Sequence, residues 1–219
     1  MMREEFIDAA TQGDVERVTT MLREDPSLAG SKDQNGVSVI LKAIYHGKQD
    51  VVAALLASGV SLDIFEAAAT GQTTRLQELI EDNPALVNSY SPDGFTPLGL
   101  AVFFGHAGTA DALLAAGAEV NAAYRETMKL TPLGSAMAVG RNDIARTLIA
   151  HGADVNAKAA NDLRPLHTAA ARGNLESATL LLDHGADINA TSNDGKTALA
   201  YAEERNHPEM VEFLKNRIR

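Results

Sequence analysis

A glycine recurs along the chain at nearly constant intervals, and this repeat limits the possible folds more than any other feature. The positions are Gly13, Gly47, Gly71, Gly105, Gly140 and Gly173, with Asn206 in a seventh position of the same phase. The intervals are 34, 24, 34, 35, 33 and 33 residues. A period of this size is typical of stacked supersecondary units, each too small to fold alone. We therefore expect one elongated domain over residues 1–219.

Each interval carries the signals of two short helices. In Thr96-Pro97 and Thr131-Pro132, the threonine side chain can cap a helix N-terminus, and proline suits the first helical position. Gly105 is expected to end the first helix and Gly117 the second, because a left-handed residue is favoured there. Helices of about ten residues are unstable alone in water, so their stability must come from stacking on neighbours.

Composition agrees with such a stack and excludes several classes of function. The 37 alanines and only 5% aromatic residues predict a core of small and aliphatic side chains. The absence of cysteine excludes a disulfide framework, a thiol nucleophile and a cysteine-ligated zinc site. The net charge of −10 argues against binding to nucleic-acid phosphates. Because no secretory signal or membrane-spanning apolar run is recognisable, we expect a soluble cytoplasmic protein.

Longer stretches of the sequence resemble the ankyrin repeat. Residues 163–174 together with 180–190 match the whole motif closely, and Asp93-Gly94-Phe95-Thr96-Pro97-Leu98 is similar to its turn and helix start. Residues 117–122 and 152–157 are similar to its characteristic ending. The resemblance covers essentially the whole chain. It implies an all-α repeat solenoid, a helix-turn-helix stack with β-turn fingers, that acts as a non-catalytic protein–protein interaction module.

The resemblance divides the chain into seven units, of which the first, third and last are atypical. Their approximate bounds are 2–30 (an N-terminal cap), 33–62, 63–88, 91–122, 124–157, 159–190 and 192–219 (a C-terminal cap). The third unit lacks the turn and the Thr-Pro-Leu start, which accounts for the interval of 24 and predicts a missing finger around residues 60–64. In units five and six, Lys129 and Asp162 replace the turn glycine, so these fingers are expected to deviate from the family's turn.

The residues that could carry chemistry are better explained by the repeat. Four of the six histidines occupy positions where the repeat predicts histidine: His106, His151, His167 and His184. Neither His46 nor His207 has a second ligand at metal-binding spacing, and no catalytic motif is recognisable. We therefore expect no enzyme activity, no cofactor and no metal. A less favoured alternative is a small-molecule or enzymatic site near the irregular third unit, at Asp63 and Glu66.

Variable positions of the repeat predict a binding surface. In ankyrin repeats the concave side is lined by the turn tip and by the two residues before the glycine of the first helix. Carried over to this chain, the pattern implies these partner-binding residues: Val37, Tyr45, His46, Phe95, Phe103, Phe104, Met128, Leu130, Val139, Leu163 and Arg172. An exposed aromatic patch is typical of a protein-binding hot spot. Either Phe103 or Phe104 could instead turn inward, because consecutive helical residues point about 100° apart.

The expected partner is a protein or a peptide, and not a nucleic acid or a membrane. The negative net charge favours a basic partner, or at least a basic rim around an apolar contact. We expect the chain itself to be a monomer. The alternative is a self-associating structural module, in which the apolar groove packs against a second copy of the chain.

Overall fold

The fold is a stack of helix pairs. The computed structural model describes residues 2–125 and 128–218, which contain fourteen α-helices in seven successive pairs. They are α1 (Met2–Gln12), α2 (Val15–Glu24), α3 (Val39–Tyr45), α4 (Gln49–Ala57), α5 (Ile64–Thr70), α6 (Thr73–Asp82), α7 (Pro97–Phe104), α8 (Ala107–Ala115), α9 (Pro132–Val139), α10 (Asn142–Ala150), α11 (Pro165–Ala171), α12 (Leu175–Asp183), α13 (Ala198–Glu204) and α14 (Pro208–Ile218). The described residues contain no β-strand, only an isolated bridge between Lys32 and Ser38. The predicted all-α repeat solenoid is confirmed.

Helix starts and ends lie at the signals read from the sequence. In unit four, Thr96 Oγ1 accepts a 3.0 Å hydrogen bond from Gly99 N, and Pro97 takes the first helical position. Gly105 ends that helix with a φ of +83°, in the left-handed region. Asn206 takes the same kind of conformation in unit seven, with a φ of +60°. Within the described residues, none of these helices is long and apolar enough to cross a membrane.

The fingers are tight turns closed by backbone hydrogen bonds. In unit four, Ser91 N donates to Phe95 O at 2.9 Å. Units five and six keep a left-handed residue without glycine, since φ is +48° at Lys129 and +55° at Asp162. These two residues therefore adopt a backbone conformation that costs more free energy than it would for glycine. Four residues of the predicted domain lie outside the described ones: Met1, Glu126 and Thr127 in the long finger of unit five, and Arg219 in the C-terminal cap.

Units two and three are joined differently from the other units. Helix α4 ends at Ala57 and α5 begins at Ile64, and the connection 58–63, all of which is described, contains no finger turn. Packing between α3 and α5 is also the least extensive in the row of first helices, whereas α5 and α7 pack closely. The junction of units two and three is therefore the loosest point of that row.

Alanine allows the first helices of successive units to approach closely. Ala68 in α5, Ala101 in α7, Ala136 in α9 and Ala169 in α11 are all fully buried. The first helices contact one another more extensively than the second helices do, so the stack is more compact along that row. We call the face made by the finger tips and the C-terminal ends of the first helices the inner face.

Asparagine side chains link the loops that follow the second helices. Asn156 Nδ2 donates to Gly185 O at 3.0 Å, and Asn156 Oδ1 accepts from Asp187 N at 2.8 Å. Asn88 and Asn121 make the equivalent pair of bonds, each to the loop that follows the next second helix along the chain. Each of these amides thus satisfies two backbone groups of its neighbour.

The Asn156→Ala variant is expected to lower the free energy of unfolding by about 1–2 kcal/mol, because two interunit hydrogen bonds are lost at an exposed site. Asn189→Ala is the matched control, since no following loop accepts its amide among the described residues. Its cost should stay below about 0.5 kcal/mol. Urea denaturation followed by circular dichroism measures both values. Equal costs for the two variants would contradict the role assigned to these bonds.

Candidate functional site

Five aromatic rings form a continuous row on the inner face. In spatial order this aromatic row consists of Phe103, Phe104, Tyr45, Phe95 and Tyr124. Phe103 meets Phe104 edge-on, with ring centroids 5.1 Å apart. The Tyr45 ring lies 6.0 Å from Phe104 and 6.2 Å from Phe95, and Phe95 stacks on Tyr124 at 4.1 Å. Three of these four separations lie within the range of about 4.5–7 Å that is typical of favourable aromatic pairs, and the fourth is a closer stack. The row is therefore a connected surface from unit two to the finger of unit five.

Tyr45 joins unit two directly to unit four. Its hydroxyl donates a 2.6 Å hydrogen bond to Asp93 Oδ2, in the finger of unit four. Burial and the bond to this carboxylate raise the pKa of Tyr45 well above its ordinary value. The phenol therefore stays protonated at neutral pH and continues to donate this bond. Its ring is held in place between those of Phe95 and Phe104.

Small residues in unit three make this contact possible. Helix α5 has Ala69 and Thr70 at the positions where α7 has Phe103 and Phe104. Because unit three has neither a finger nor a large side chain at this point, rings from α3 and α7 meet across α5. A cavity of about 240 Å³ remains beside them, lined in part by Thr70 and Phe104.

Part of the aromatic row is open to solvent. Phe103 and Tyr45 are 39% and 38% exposed, whereas Phe95 and Phe104 are half-buried and pack against the core. Of the two phenylalanines, Phe103 is exposed, whereas Phe104 turns partly towards the core. The row therefore combines accessible rings with a base that is fixed by core packing, as in protein-binding hot spots.

Four of the predicted binding residues outside the row are spread along the inner face. His46 is exposed and lines a groove of about 580 Å³ together with side chains of α1 such as Asp8. Leu163 and Arg172 line a separate cavity of about 230 Å³ between units five and seven. Met128, which is 59% exposed, lies on the finger of unit five. The structure thus distributes the predicted residues along the whole inner face.

Val37 does not belong to this exposed surface. Its side chain is only 9% exposed and is part of the hydrophobic core. The backbone closes the finger of unit two at this residue, since Asp33 N donates to Val37 O at 2.9 Å. Because the short Val37 side chain packs in the core, the prediction that it lines the groove is wrong. Leu130 and Val139 are half-buried.

Several residues of the inner face were missed by the sequence analysis. Tyr124 extends the aromatic row by stacking on Phe95. The sequence signal that could have identified it is its position as an aromatic residue at the start of the next finger. Tyr201 and Arg205 line the same cavity as Arg172. Arg205 follows Arg172 by 33 residues, and this repeat phase places it at a concave-side position, although it is not among the predicted partner-binding residues.

The repeat architecture matches a known family over nearly the whole chain. A family model for ankyrin repeats in three copies matches residues 6–124, 64–159 and 136–218. The chain belongs to the ankyrin-repeat family. A search of curated proteins found no match. Ankyrin repeats are generally protein–protein interaction modules and are typically non-enzymatic.

Histidines in this ankyrin-repeat chain form structural hydrogen bonds. Nε2 of the buried His167 bonds to Ala190 O at 3.0 Å, while its Nδ1 accepts from Arg164 N at 3.0 Å. Burial lowers the pKa of His167, which favours this neutral form. The same type of bond to a backbone carbonyl is made by His106, His151, His184 and His207. Within the described residues, no group of histidine, aspartate and glutamate side chains could hold a metal ion.

Glu66 is the one buried acidic side chain among the described residues, and it lies in the irregular third unit. It is 4% exposed, and its Oε2 accepts a 2.8 Å hydrogen bond from Asp63 N. In return, Asp63 Oδ1 accepts from Phe65 N and Glu66 N, both at 3.0 Å. Burial, and then the charge of Asp63, raise the pKa of Glu66. This reciprocal capping of α5 gives the buried carboxylate a structural role.

Glu66→Gln is expected to stabilise the protein at pH 7.5 by on the order of 1 kcal/mol, because the amide keeps the capping bond without burying a charge. The folded-state pKa of Glu66 is raised, so the native state holds its proton to higher pH than the unfolded chain does. The stability contributed by this group is therefore present below the unfolded pKa and is lost as the pH rises through the folded pKa. The difference in the free energy of unfolding between Glu66→Gln and the wild type should accordingly disappear near pH 4.

Denaturant titrations of the Glu66→Gln variant and the wild type at both pH values provide the measurement. Glu81→Gln, at an exposed position of α6, is the matched control and should show no pH-dependent difference. A Glu66→Gln variant that is less stable than the wild type at pH 7.5 would contradict the assignment, because it would show that the buried charge is itself stabilising.

Proposed function

We propose that this ankyrin-repeat chain binds a partner protein or peptide through the aromatic row, without catalysis and as a cytoplasmic monomer. The main support is the accessible part of the row, where more than a third of the surface of both Phe103 and Tyr45 is exposed. Aromatic side chains bury a large area for the entropy that they lose, and they dominate binding hot spots. Core packing and the Tyr45–Asp93 hydrogen bond already hold the row in place, which lowers the cost of ordering it on binding.

The chemistry of the row indicates what the partner presents to it. Its centre is aromatic, so the contacting segment should be apolar. The net charge of −10 favours a basic rim on the partner around that contact. Further predicted contact residues of the inner face are His46, Met128, Leu130 and Val139.

Site-specific photocrosslinking tests the proposal. A benzoylphenylalanine at position 103 should crosslink a specific protein in a lysate of the source organism, and mass spectrometry should identify it. The same group at Gln77, an exposed position of α6, is the matched control and should not crosslink that protein. The purified partner should then bind with a defined stoichiometry. Identical products from both positions, or no product from position 103, would contradict the proposal.

Self-association through the same surface is the competing interpretation. Light scattering at increasing protein concentration should give the monomer mass of 23.2 kDa throughout. A mass that rises towards twice this value, with crosslinks from position 103 joining two copies of the chain, would instead favour the self-associating module.

A further inference from the structure

The cavity at the C-terminal end of the inner face differs in character from the aromatic row. It has a volume of about 230 Å³ and lies between α9, α11 and α13. Its apolar lining includes Ala138, Leu163, Ala171 and the ring of Tyr201. A space of this size accommodates an aliphatic side chain of a bound segment, which would bury its apolar surface there.

Two arginines line this cavity. Arg172 and Arg205 are the C-terminal cap residues of α11 and α13, and both side chains are exposed. Among the described residues, no carboxylate lies within ion-pair distance of either guanidinium. Both positive charges are therefore available to a ligand.

Three acidic side chains near this cavity already contact basic residues of the chain. Glu204 and Asp194 both contact Lys196 Nζ, at 2.8 Å and 3.2 Å, and Asp187 lies 3.7 Å from Arg164. Because two carboxylates share Lys196, these three acidic side chains and the four basic ones (Lys196, Arg164, Arg172 and Arg205) leave a local balance of +1, in a chain whose net charge is −10. The local charge is opposite to the charge that the whole chain presents to a partner.

We propose that this cavity binds an acidic segment of a partner protein, in which carboxylates flank an apolar side chain. The apolar lining takes the side chain, and Arg172 and Arg205 pair with the carboxylates, for which guanidinium groups have the matching geometry. Helices of adjacent units lie about 8–10 Å apart, which corresponds to about three residues of an extended peptide. The inference rests on the proposed function in one respect, which is that a single partner would cover both the aromatic row and this cavity.

An NMR titration with the peptide acetyl-Glu-Glu-Leu-Glu-Glu-amide at low salt tests this site. Saturable shifts are expected in the amide signals of α11 and α13. The double variant Arg172→Gln/Arg205→Gln should raise Kd about tenfold or more, because charge-assisted bonds are lost. Its thermal unfolding should match that of the wild type, since both side chains are exposed. Arg23→Gln, an exposed arginine of α2, is the matched control and should leave Kd unchanged.

Four results would overturn the proposal. The first is an unchanged Kd for the double variant, and the second is the absence of saturable shifts up to about 5 mM peptide. The third is equal binding of a peptide with serine in place of leucine, and the fourth is inorganic phosphate producing the same shifts with the same Kd. Phe103→Glu should leave the binding of this peptide unchanged, so a failure here is distinguishable from a failure of the aromatic row.

Discussion

Replacing Phe103 by glutamate is expected to weaken binding of the partner by about 2 kcal/mol or more, which is about 30-fold in Kd. Phe103 is the most exposed ring of the aromatic row, at 39%, and it meets Phe104 edge-on. A carboxylate at this position removes the apolar contact and places an unpaired charge in the interface. Both effects act against the bound state, whereas the free protein keeps the carboxylate in water.

Phe104→Glu is expected to weaken binding by at least a similar amount, but with a second effect on stability. Phe104 is half-buried, packs against the core and contacts Tyr45 from two units away. A charge there would also disturb the contact between units two and four. Phe103 is therefore the better position for measuring binding alone.

Isothermal titration calorimetry with the partner identified by crosslinking measures the Phe103→Glu effect, and circular dichroism shows whether the fold is intact. Ala115→Glu serves as the control, because it adds the same charge at an exposed position at the end of α8, the second helix of unit four. We expect its affinity to equal that of the wild type. If Phe103→Glu binds as tightly as the control while folded, the aromatic row is not the interface.

Gly71→Ala is expected to lower the free energy of unfolding by about 3 kcal/mol, through strain and a steric clash. Gly71 has a φ of +71°, in the left-handed region that side chains avoid. In addition, a Cβ at this residue would lie 2.5 Å from His106 Nδ1. His106 cannot move away without losing its 2.9 Å bond to Ala69 O, which joins units three and four.

Gly47→Ala separates the two causes. Gly47 is the equivalent residue of unit two, with a φ of +67° and no described atom within 4 Å of an added Cβ. Its substitution should cost only the backbone strain, about 1 kcal/mol. In the background of His106→Ala, the cost of Gly71→Ala should fall to nearly the same value. Equal costs for the two glycines in the wild-type background would show that the approach of His106 does not constrain the site.

Local chemistry explains which parts of the fold were predictable from the sequence. The start of α7 at Thr96-Pro97 and its end at Gly105 depend on residues within one helical turn, so a single stretch of sequence carries both signals. The period of about 33 residues then places the same signals in the other units. The phase also placed Tyr45, Phe103 and Phe104 among the expected inner-face residues, but it left open which of the two phenylalanines turns inward.

The sequence by itself determined the repeat, the helix pairs and their caps, since these features follow from contacts between residues that are close in the chain. The face on which the variable residues lie was implied by the resemblance to ankyrin repeats. Only the tertiary structure decided how that face is built. Tyr45 donates to Asp93 from 48 residues away, and this contact needs an α5 with small side chains and no preceding finger. Arg172 and Arg205 share a cavity because α11 and α13 pack together. No single unit contains these arrangements, because they arise from the distance at which neighbouring units stack.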